Sequence, residues 1–249
     1  MTPPPFLSLC VICGDSDQAK LPRLLDSVLR RASGSSADEV VVWWNGSGEG
    51  PESLAGYGVD GVDLRIVKGE WKDDFGWARQ KSFEAARGVW RMYLDADDIL
   101  AAGTDNSVVN SAPVRGAAPS HPVGTLVDLL RDLPPAVNTM WFPYHYALDE
   151  KTGVPLQQLW RCRIVRWADG WAWRFPVHED LFPIGGCRPT PFYNSGVVVV
   201  HKTDVDFSAK TARNLRILMR AYESATTPVS YQTLYGIGAG LLDQGRPNE

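Results

Sequence analysis

Apolar and polar positions alternate in blocks along the first hundred residues, and each block predicts one element. Short apolar runs rich in Val, Ile, Leu and Trp are typical of buried strands. Strands are predicted at residues 6–13, 39–44, 63–68 and 89–94. Apolar side chains three and four positions apart predict a helix at 21–29, and a cap at Asp73 or Asp74 with a stop at Gly88 predicts another at 75–87. This alternation predicts a parallel sheet with right-handed crossovers.

The rest of the chain has a different pattern. Residues 101–124 are rich in Ala, Gly, Ser and Pro, which indicates an inserted loop, either a lid or a tolerated surface insertion. The later elements are predicted to be a short helix at 125–133, a hairpin of strands 139–148 and 157–165, a strand at 196–201, and helices at 207–225 and 229–245. The apolar residues at positions 166–181 show little helical or strand periodicity. We expect a domain at residues 1–204 followed by a helical hairpin at 205–249.

Three acidic residues follow the fourth predicted strand, in the sequence Asp95-Ala96-Asp97-Asp98. In an open α/β sheet, ligands bind beyond the carboxyl ends of the parallel strands, so the turns after residues 13, 44 and 94 should converge on one crevice. Carboxylates placed there suit Mg²⁺ or Mn²⁺ that carries phosphate oxygens. The alternative interpretation is a strand end at which Asp97 or Asp98 caps the next helix.

The composition narrows the class of protein. A chain of 249 residues with 44% hydrophobic and 22% charged residues is ordinary for a globular protein. The net charge of -4 gives no general attraction to nucleic acid or to an anionic membrane. Because no apolar run approaches the length of a membrane span and the first residues lack a signal sequence, we expect a cytoplasmic protein. Cys10 and Cys13 lie inside an apolar run, which favours buried thiols over a redox or zinc site.

Five segments, in order along the chain, resemble one enzyme family. They are LSLCVIC, EVVVWWNGSG, DDFGWARQKSFEAARGVWRMYLDADD, QLWRCRIVRWADGWAWRFPVHEDL and VVVVHK. The chain resembles the inverting glycosyltransferases of family 2, especially the bacterial branch that carries tetratricopeptide repeats. This resemblance implies a GT-A fold, a nucleotide-sugar donor and a divalent metal, Mn²⁺ or Mg²⁺. It also implies a hexosyl- or pentosyltransferase whose terminal helices are tetratricopeptide-like.

The resemblance further implies roles for residues at the predicted crevice. Asp95 would contact the ribose or the metal waters, Asp97 would bind the metal, and His201 would approach the metal or the diphosphate. The other expected contacts of the nucleotide-sugar are Cys13, Asp15, Asn45, Asp74, Arg79 and Ala96. The family commonly has an aspartate at the position of Asn45, and an amide supplies no charge, so the nucleobase stays open. The alternatives are a surface ion pair for Arg79 and a structural histidine for His201.

An inverting transfer needs a base near the acceptor nucleophile. Within the sequence VHED we expect Glu179 to be this base, with Asp180 as the second choice. The expected acceptor contacts are Trp171, Trp173 and His178. Because tryptophans interleaved with arginines suit sugar rings, peptides or stacked bases, the acceptor stays open between a glycan, a protein and the modified DNA of a phage-type enzyme. Self-association also stays open.

Two other functions compete with glycosyl transfer. A nucleotidyltransferase also places acidic metal ligands beside a Rossmann-like sheet, but it usually has a Gly-rich, basic loop where this chain has Gly14-Asp15-Ser16-Asp17. A non-catalytic binding module would use the terminal helices as its surface, but one helical pair is fewer than a solenoid needs. The sequence therefore favours a glycosyltransferase.

Overall fold

The computed structural model describes residues 4–30, 35–102, 125–149, 152, 154–201, 207–225 and 230–245. Within these residues the strands are β1 (Leu7–Cys13), β2 (Glu39–Trp44), β3 (Asp63–Lys68), β4 (Trp90–Tyr93), β5 (Asp98–Ala102), β6 (Thr139–Leu148), β7 (Pro155–Arg166), β8 (Trp171–Arg174), β9 (Asp180–Pro183), β10 (Pro191–Tyr193) and β11 (Val197–His201). The α-helices are α1 (Leu21–Leu29), α2 (Phe75–Ala85), α3 (Leu126–Arg131), α4 (Phe207–Glu223) and α5 (Tyr231–Asp243). The predicted loop at 101–124 lies outside the described residues from residue 103 onward.

One large sheet organises the described part of the chain, with the strand order β3-β2-β1-β4-β7-β6-β11-β5 and β10 beside β6. Five of its pairings are parallel and three are antiparallel. Cys13 lies beside Trp44 in the β1–β2 pair, and Cys10 lies beside Tyr93 in the β1–β4 pair. The carboxyl ends of β1, β2 and β4 therefore reach the same edge of the sheet, where the sequence predicted a crevice.

Helices cover both faces of this sheet. The apolar face of α1, which includes Leu24 and Leu25, packs into the larger core cluster, and α1 also contacts β5. On the other face, α2 contacts β1, β2 and β8, and its Phe83 is fully buried in a second cluster. The predicted architecture, an α/β fold with a mainly parallel central sheet flanked by helices and a helical pair at the end, is confirmed.

The segment at residues 166–181 is more regular than the sequence predicted. It contains β8, and it leads into β9, which pairs with β8 in an antiparallel hairpin. Trp171 and Trp173 on β8 are buried against Phe83 and other core side chains. The two strands are only four residues long, so their alternation of buried and exposed positions is too short to stand out in the sequence.

The helices α4 and α5 pack against each other and against the domain before them. Ile217 and Leu218 of α4 are buried with Val177, and Trp71 and Phe75 pack against this cluster. The boundary at residue 204 remains a prediction, but these contacts place α4 against the edge of the sheet domain that holds the crevice. No helix among the described residues is long and apolar enough to cross a membrane.

Candidate active site

A cavity of about 260 Å³ opens at the carboxyl ends of the parallel strands. Seven of the fourteen residues that the sequence singled out for chemistry line it: Arg79, Asp95, Ala96, Asp97, His178, Glu179 and His201. These residues come from α2, the end of β4, the segment between β8 and β9, and the end of β11. The fold thus collects side chains that are more than a hundred positions apart in the sequence into one pocket.

Arg79 is buried on α2 and joins two carboxylates of the pocket. Its Nε donates to Glu179 Oε1 at 2.6 Å, and its Nη2 donates to Asp95 Oδ1. Burial lowers the pKa of Arg79, but the charges of Asp95 and Glu179 more than offset this and raise the pKa above its ordinary value. Arg79 is therefore a permanent cation that lies between Asp95 and Glu179, and not a surface ion pair.

Asp95 remains ionised inside the pocket. Burial raises its pKa, but the positive charges of Arg79 and Arg163 lower it further, so the pKa lies well below its ordinary range. Asp97 differs, because burial and the neighbouring charge of Asp95 raise its pKa. Of the two carboxylates, Asp97 is the one whose ionised form would gain from a nearby cation.

Asp98 is fully buried and begins β5, so it does not cap a helix. Its Oδ2 accepts from the Asp95 backbone N–H at 3.0 Å and lies 3.4 Å from Arg163 Nη2. Its Oδ1 accepts from the Tyr144 hydroxyl at 3.4 Å and lies 3.2 Å from His201 Nδ1. Asp98 therefore fixes the turn that carries Asp95 and anchors the histidine.

The pairing of β5 with β11 places His201 directly opposite Asp98. Its Nδ1 also lies 3.5 Å from Asp97 Oδ1, and its ring stacks on Tyr146 with the centroids 5.4 Å apart. Burial lowers the pKa of His201, but the hydrogen bond to Asp98 and the charge of Asp97 raise it above its ordinary value. The other ring nitrogen, Nε2, is buried and has no hydrogen-bond partner among the described residues.

Asp97, Asp98 and His201 form a group whose ligand atoms all lie within 4.8 Å of one another. Asp98 is already engaged by four donors, which leaves Asp97 and His201 as the residues with capacity for a metal. Carboxylate oxygens suit Mg²⁺ and Mn²⁺, and an imidazole that is oriented by a carboxylate is a common metal ligand. The residues therefore fit a divalent cation at this position.

The turns after β1 and β2 adjoin each other beside the pocket. Asp15 accepts hydrogen bonds from the Ser47 backbone N–H at 3.0 Å and from the Ser47 hydroxyl at 2.9 Å. Asn45 Oδ1 is buried without a hydrogen-bond donor in the described residues. The Cys13 thiol is buried beside the same turn. The structure thus brings Cys13, Asp15 and Asn45 to the edge expected for the nucleotide, although none of them lines the cavity itself.

Four other predicted site residues lie outside the cavity. Asp74 caps α2, because its Oδ1 accepts from the Trp77 backbone N–H at 2.7 Å. Trp171 and Trp173 are 4% and 7% exposed and belong to the core beside α2. Asp180 is exposed at the start of β9. Of the two acids in VHED, only Glu179 lines the cavity. We therefore assign no substrate contact to Asp180, and none to Asp74, Trp171 or Trp173.

The loop that carries Glu179 is held close against α2. The Phe75 backbone N–H donates to the Pro176 carbonyl at 2.9 Å. A Cβ added to Gly76 would lie 2.5 Å from the Phe175 carbonyl oxygen, so only glycine permits this approach. Phe175 and His178 adopt positive φ angles of 70° and 55°, which non-glycine residues rarely adopt. This local strain is typical of a segment whose side chains are positioned for function.

Several charged residues of the pocket had no individual role assigned from the sequence. Arg163 of β7 lies 4.6 Å from the ring centre of Tyr93 and 4.4 Å from that of Tyr144. Lys210 and Arg213 reach the cavity from α4, and Arg161 reaches it from β7. The spacing of Arg161 and Arg163 on one strand face was a usable signal, since side chains two positions apart point the same way. Nothing in the sequence of α4 indicated its position.

Comparison with known proteins supports one family. Residues 8–118 match the family model described as Glycosyl transferase family 2. A TPR repeat-containing protein from Synechococcus elongatus is 30% identical to this chain over 172 residues, which cover 65% of this chain and 40% of that protein. The chain thus spans about 40% of the length of this curated relative. The matched residues include β1 to β4 and the acidic turn with Asp95 and Asp97.

Two solved structures are also similar, at low sequence identity. TarS of S. aureus in complex with UDP is 11% identical, with a TM-score of 0.49, over 95% of this chain and 70% of that one. The mannosyltransferase PcManGT from Pyrobaculum calidifontis, in complex with GDP-Man and Mn²⁺, is 13% identical, with a TM-score of 0.48, over 100% of this chain and 77% of that one.

Proposed function

We propose that this protein is a family 2 glycosyltransferase of the GT-A type that transfers a sugar from a nucleotide-sugar to an acceptor nucleophile with inversion. The observation that carries the proposal is a single pocket with Asp95 and Asp97 at the end of β4 and Glu179 joined to Asp95 through Arg79. The match of residues 8–118 to the family supports it. The relative's repeats support the tetratricopeptide-associated branch.

The nucleotide would lie across the turns after β1 and β2, where Asp15 and Asn45 offer polar groups to a base and a ribose. Its diphosphate would then reach the end of β4. The unpaired Oδ1 of Asn45 is an acceptor, which suits an N–H on the edge of a base. Asp95 is held by Arg79 and so presents a fixed carboxylate to the ribose or to water molecules on the cation.

A divalent cation, Mn²⁺ or Mg²⁺, would be held by Asp97 and His201. When bound, it would act as a Lewis acid that offsets the charge growing on the departing diphosphate. Asp98 would keep the His201 ring oriented through the bond at Nδ1. The cation would also offset the repulsion between Asp95 and Asp97, which would favour the ionised form of Asp97.

Glu179 is our candidate for the general base. Its side chain is 15% exposed, and it is oriented by Arg79 on one side while it faces the cavity on the other. It would accept the proton of the acceptor nucleophile as the bond to the sugar forms. Arg79 would keep the carboxylate from rotating out of reach, which is a positioning role.

A thermal-shift panel of nucleotide-sugars with Mn²⁺ and Mg²⁺ tests the donor site. A true donor should raise the melting temperature, since binding at about a hundred times Kd adds about 2.7 kcal/mol of stability. Glu179→Gln should abolish sugar transfer, and it should also abolish hydrolysis of the donor when no acceptor is present. The rise in melting temperature that the donor causes should be unchanged in this variant. A variant that loses donor affinity but keeps its single-turnover rate would contradict the assignment of the base.

The metal site has its own test. Asp97→Asn should weaken donor binding in Mn²⁺ by about tenfold or more, because a charged ligand is lost. Calorimetric titration of the donor with Mn²⁺ and with chelator measures this difference. Equal donor affinity of the unaltered protein and of Asp97→Asn, each with Mn²⁺ and with chelator, would show that Asp97 holds no cation. A panel without any nucleotide-dependent shift would favour the non-catalytic binding module.

A further inference from the structure

Four of the five arginine and lysine side chains that line the pocket fall into two groups. Arg79 is paired with Asp95 and Glu179, and Arg163 is paired with Asp98. Arg161 and Lys210 form no ion pair with a carboxylate in the part of the chain that the structure describes, although their side chains line the same cavity. Unpaired cations at the wall of a concave site are typical of groups that bind an anionic ligand.

The position of these two cations separates them from the nucleotide side. In the sheet order, β1 and β2 lie on one side of β4, and β7 and β6 lie on the other. Arg161 is on β7, and Lys210 reaches over β6, where its Nζ lies 3.4 Å from the Tyr146 hydroxyl and 5.6 Å from the centre of that ring. The nucleotide turns and the cations thus flank the acidic end of β4 from opposite directions.

The same cations adjoin the candidate base. His178, the neighbour of Glu179, has a pKa lowered first by burial and then by the positive charges of Arg161 and Lys210, while the charge of Glu179 raises it. Arg161 and Lys210 also line the same cavity as His178 and Glu179, so they share the pocket with the segment that would contact the acceptor. In an inverting transfer the base lies on the acceptor side of the reacting carbon, opposite the leaving nucleotide.

We propose that the acceptor is a sugar bearing a phosphate or carboxylate group, which Arg161 of β7 and Lys210 of α4 bind next to Glu179. This inference rests on the proposed function. It assigns to α4 a part in acceptor recognition, so the terminal helices complete the active site instead of forming a separate interaction surface. Arg213, which also forms no ion pair with a carboxylate among the described residues, is left out of this assignment because its guanidinium donates to Asn214 Oδ1 and lies over the Phe75 ring.

Binding of matched sugars tests the inference. The full chain is first saturated with Mn²⁺ and with the nucleoside diphosphate that corresponds to the donor found in the panel. Ligand-observed NMR then follows the titration of glucose 6-phosphate, glucuronate and neutral glucose. Both anionic sugars should bind at least about tenfold more tightly than glucose, since one hydrogen bond to a charged group increases the affinity by about tenfold. The phosphate and carboxylate arms show which anion the site favours.

Variants identify the cations responsible. Arg161→Gln and Lys210→Met should each remove most of the preference for the anionic sugar and leave the affinity for the nucleotide unchanged. Matched controls are Arg131→Gln and Lys81→Met, which change the same residue types at exposed positions outside the cavity. The preference should persist in both controls.

Several results would overturn the inference. Equal responses to charged and neutral sugar, or no response to either, would show that no anion site exists. A loss of nucleotide affinity in the Arg161 or Lys210 variant would assign these cations to the donor diphosphate. Tighter binding of a short single-stranded oligonucleotide than of either sugar acid would point to a DNA acceptor. In each case nucleotide binding by the unaltered protein would survive, and its absence would instead refute the proposed function.

Discussion

Replacing Arg79 with methionine should destabilise the fold by about 3 kcal/mol. The side chain is 5% exposed and lies between two carboxylates, and breaking a buried ion pair typically costs about 3 to 5 kcal/mol. Asp95 is 34% exposed, so water would solvate it partly after the change, which places the loss at the lower end. Methionine keeps an apolar stem against Tyr93 and Trp173, so little packing is lost.

Urea denaturation measures this loss as a shift of the midpoint at constant slope. Adding Glu179→Gln to the Arg79→Met variant should restore about 1 to 2 kcal/mol, because it removes one of the two uncompensated charges. Lys81→Ala on the same helix is the control, and its exposed pair with Glu84 should cost under about 1 kcal/mol. A loss below about 1 kcal/mol for Arg79→Met, or no recovery in the double variant, would refute the view that Arg79 neutralises both carboxylates.

Two further predictions concern stability and the loop beside the pocket. Burial raises the pKa of Glu39, but hydrogen bonds from Arg87 and Ser8 lower it further, so the folded-state pKa lies below the ordinary value of 4.5. The stability that Glu39 contributes is therefore fully present above its unfolded-state pKa and is lost as the pH falls through its folded-state pKa. Glu39→Gln should lower the free energy of unfolding by about 3 kcal/mol near neutral pH and by much less in acid. Urea titrations at both pH values would measure this difference. Gly76→Ala should favour the helix by up to about 1 kcal/mol but force the Phe175 carbonyl away, for a net loss of about 1 to 2 kcal/mol. Donor affinity should survive this change while the transfer rate falls, and an unchanged rate would show that the loop position is not critical.

The sequence predicted the central architecture well, because its signals are local. The four apolar runs of the first hundred residues became β1 to β4, and the helices beside them began and ended within two residues of their predicted limits. Parallel strands share one edge by topology alone, so Asp95, Asp97 and the turn with Asp15 were assigned to a common crevice without knowledge of any contact. His201 was placed there by the resemblance, and the pairing of β11 with β5 supplies the physical reason.

The rest of the site depends on contacts between distant segments. Trp171 and Trp173 look like exposed acceptor contacts in a charged stretch, but the β8–β9 hairpin turns both into the core. The sequence leaves open whether Arg79 forms only a surface ion pair, and only the fold shows that β4 and the Glu179 loop converge on it. Asp98 looks like a helix cap, yet a strand follows it. These outcomes depend on packing across the sheet, which no local pattern encodes.

The pairing of β5 with β11 has a consequence for how such a protein can diverge. Asp98 and His201 are 103 positions apart, yet they are neighbours because the five residues of one strand align with the five of the other. Insertions or deletions in the intervening chain leave this distance unchanged while the alignment holds, whereas a slip by one residue would turn the histidine to the opposite face. The loops that join the strands between them can therefore change in length for new acceptors, while the acid–histidine centre keeps its dimensions.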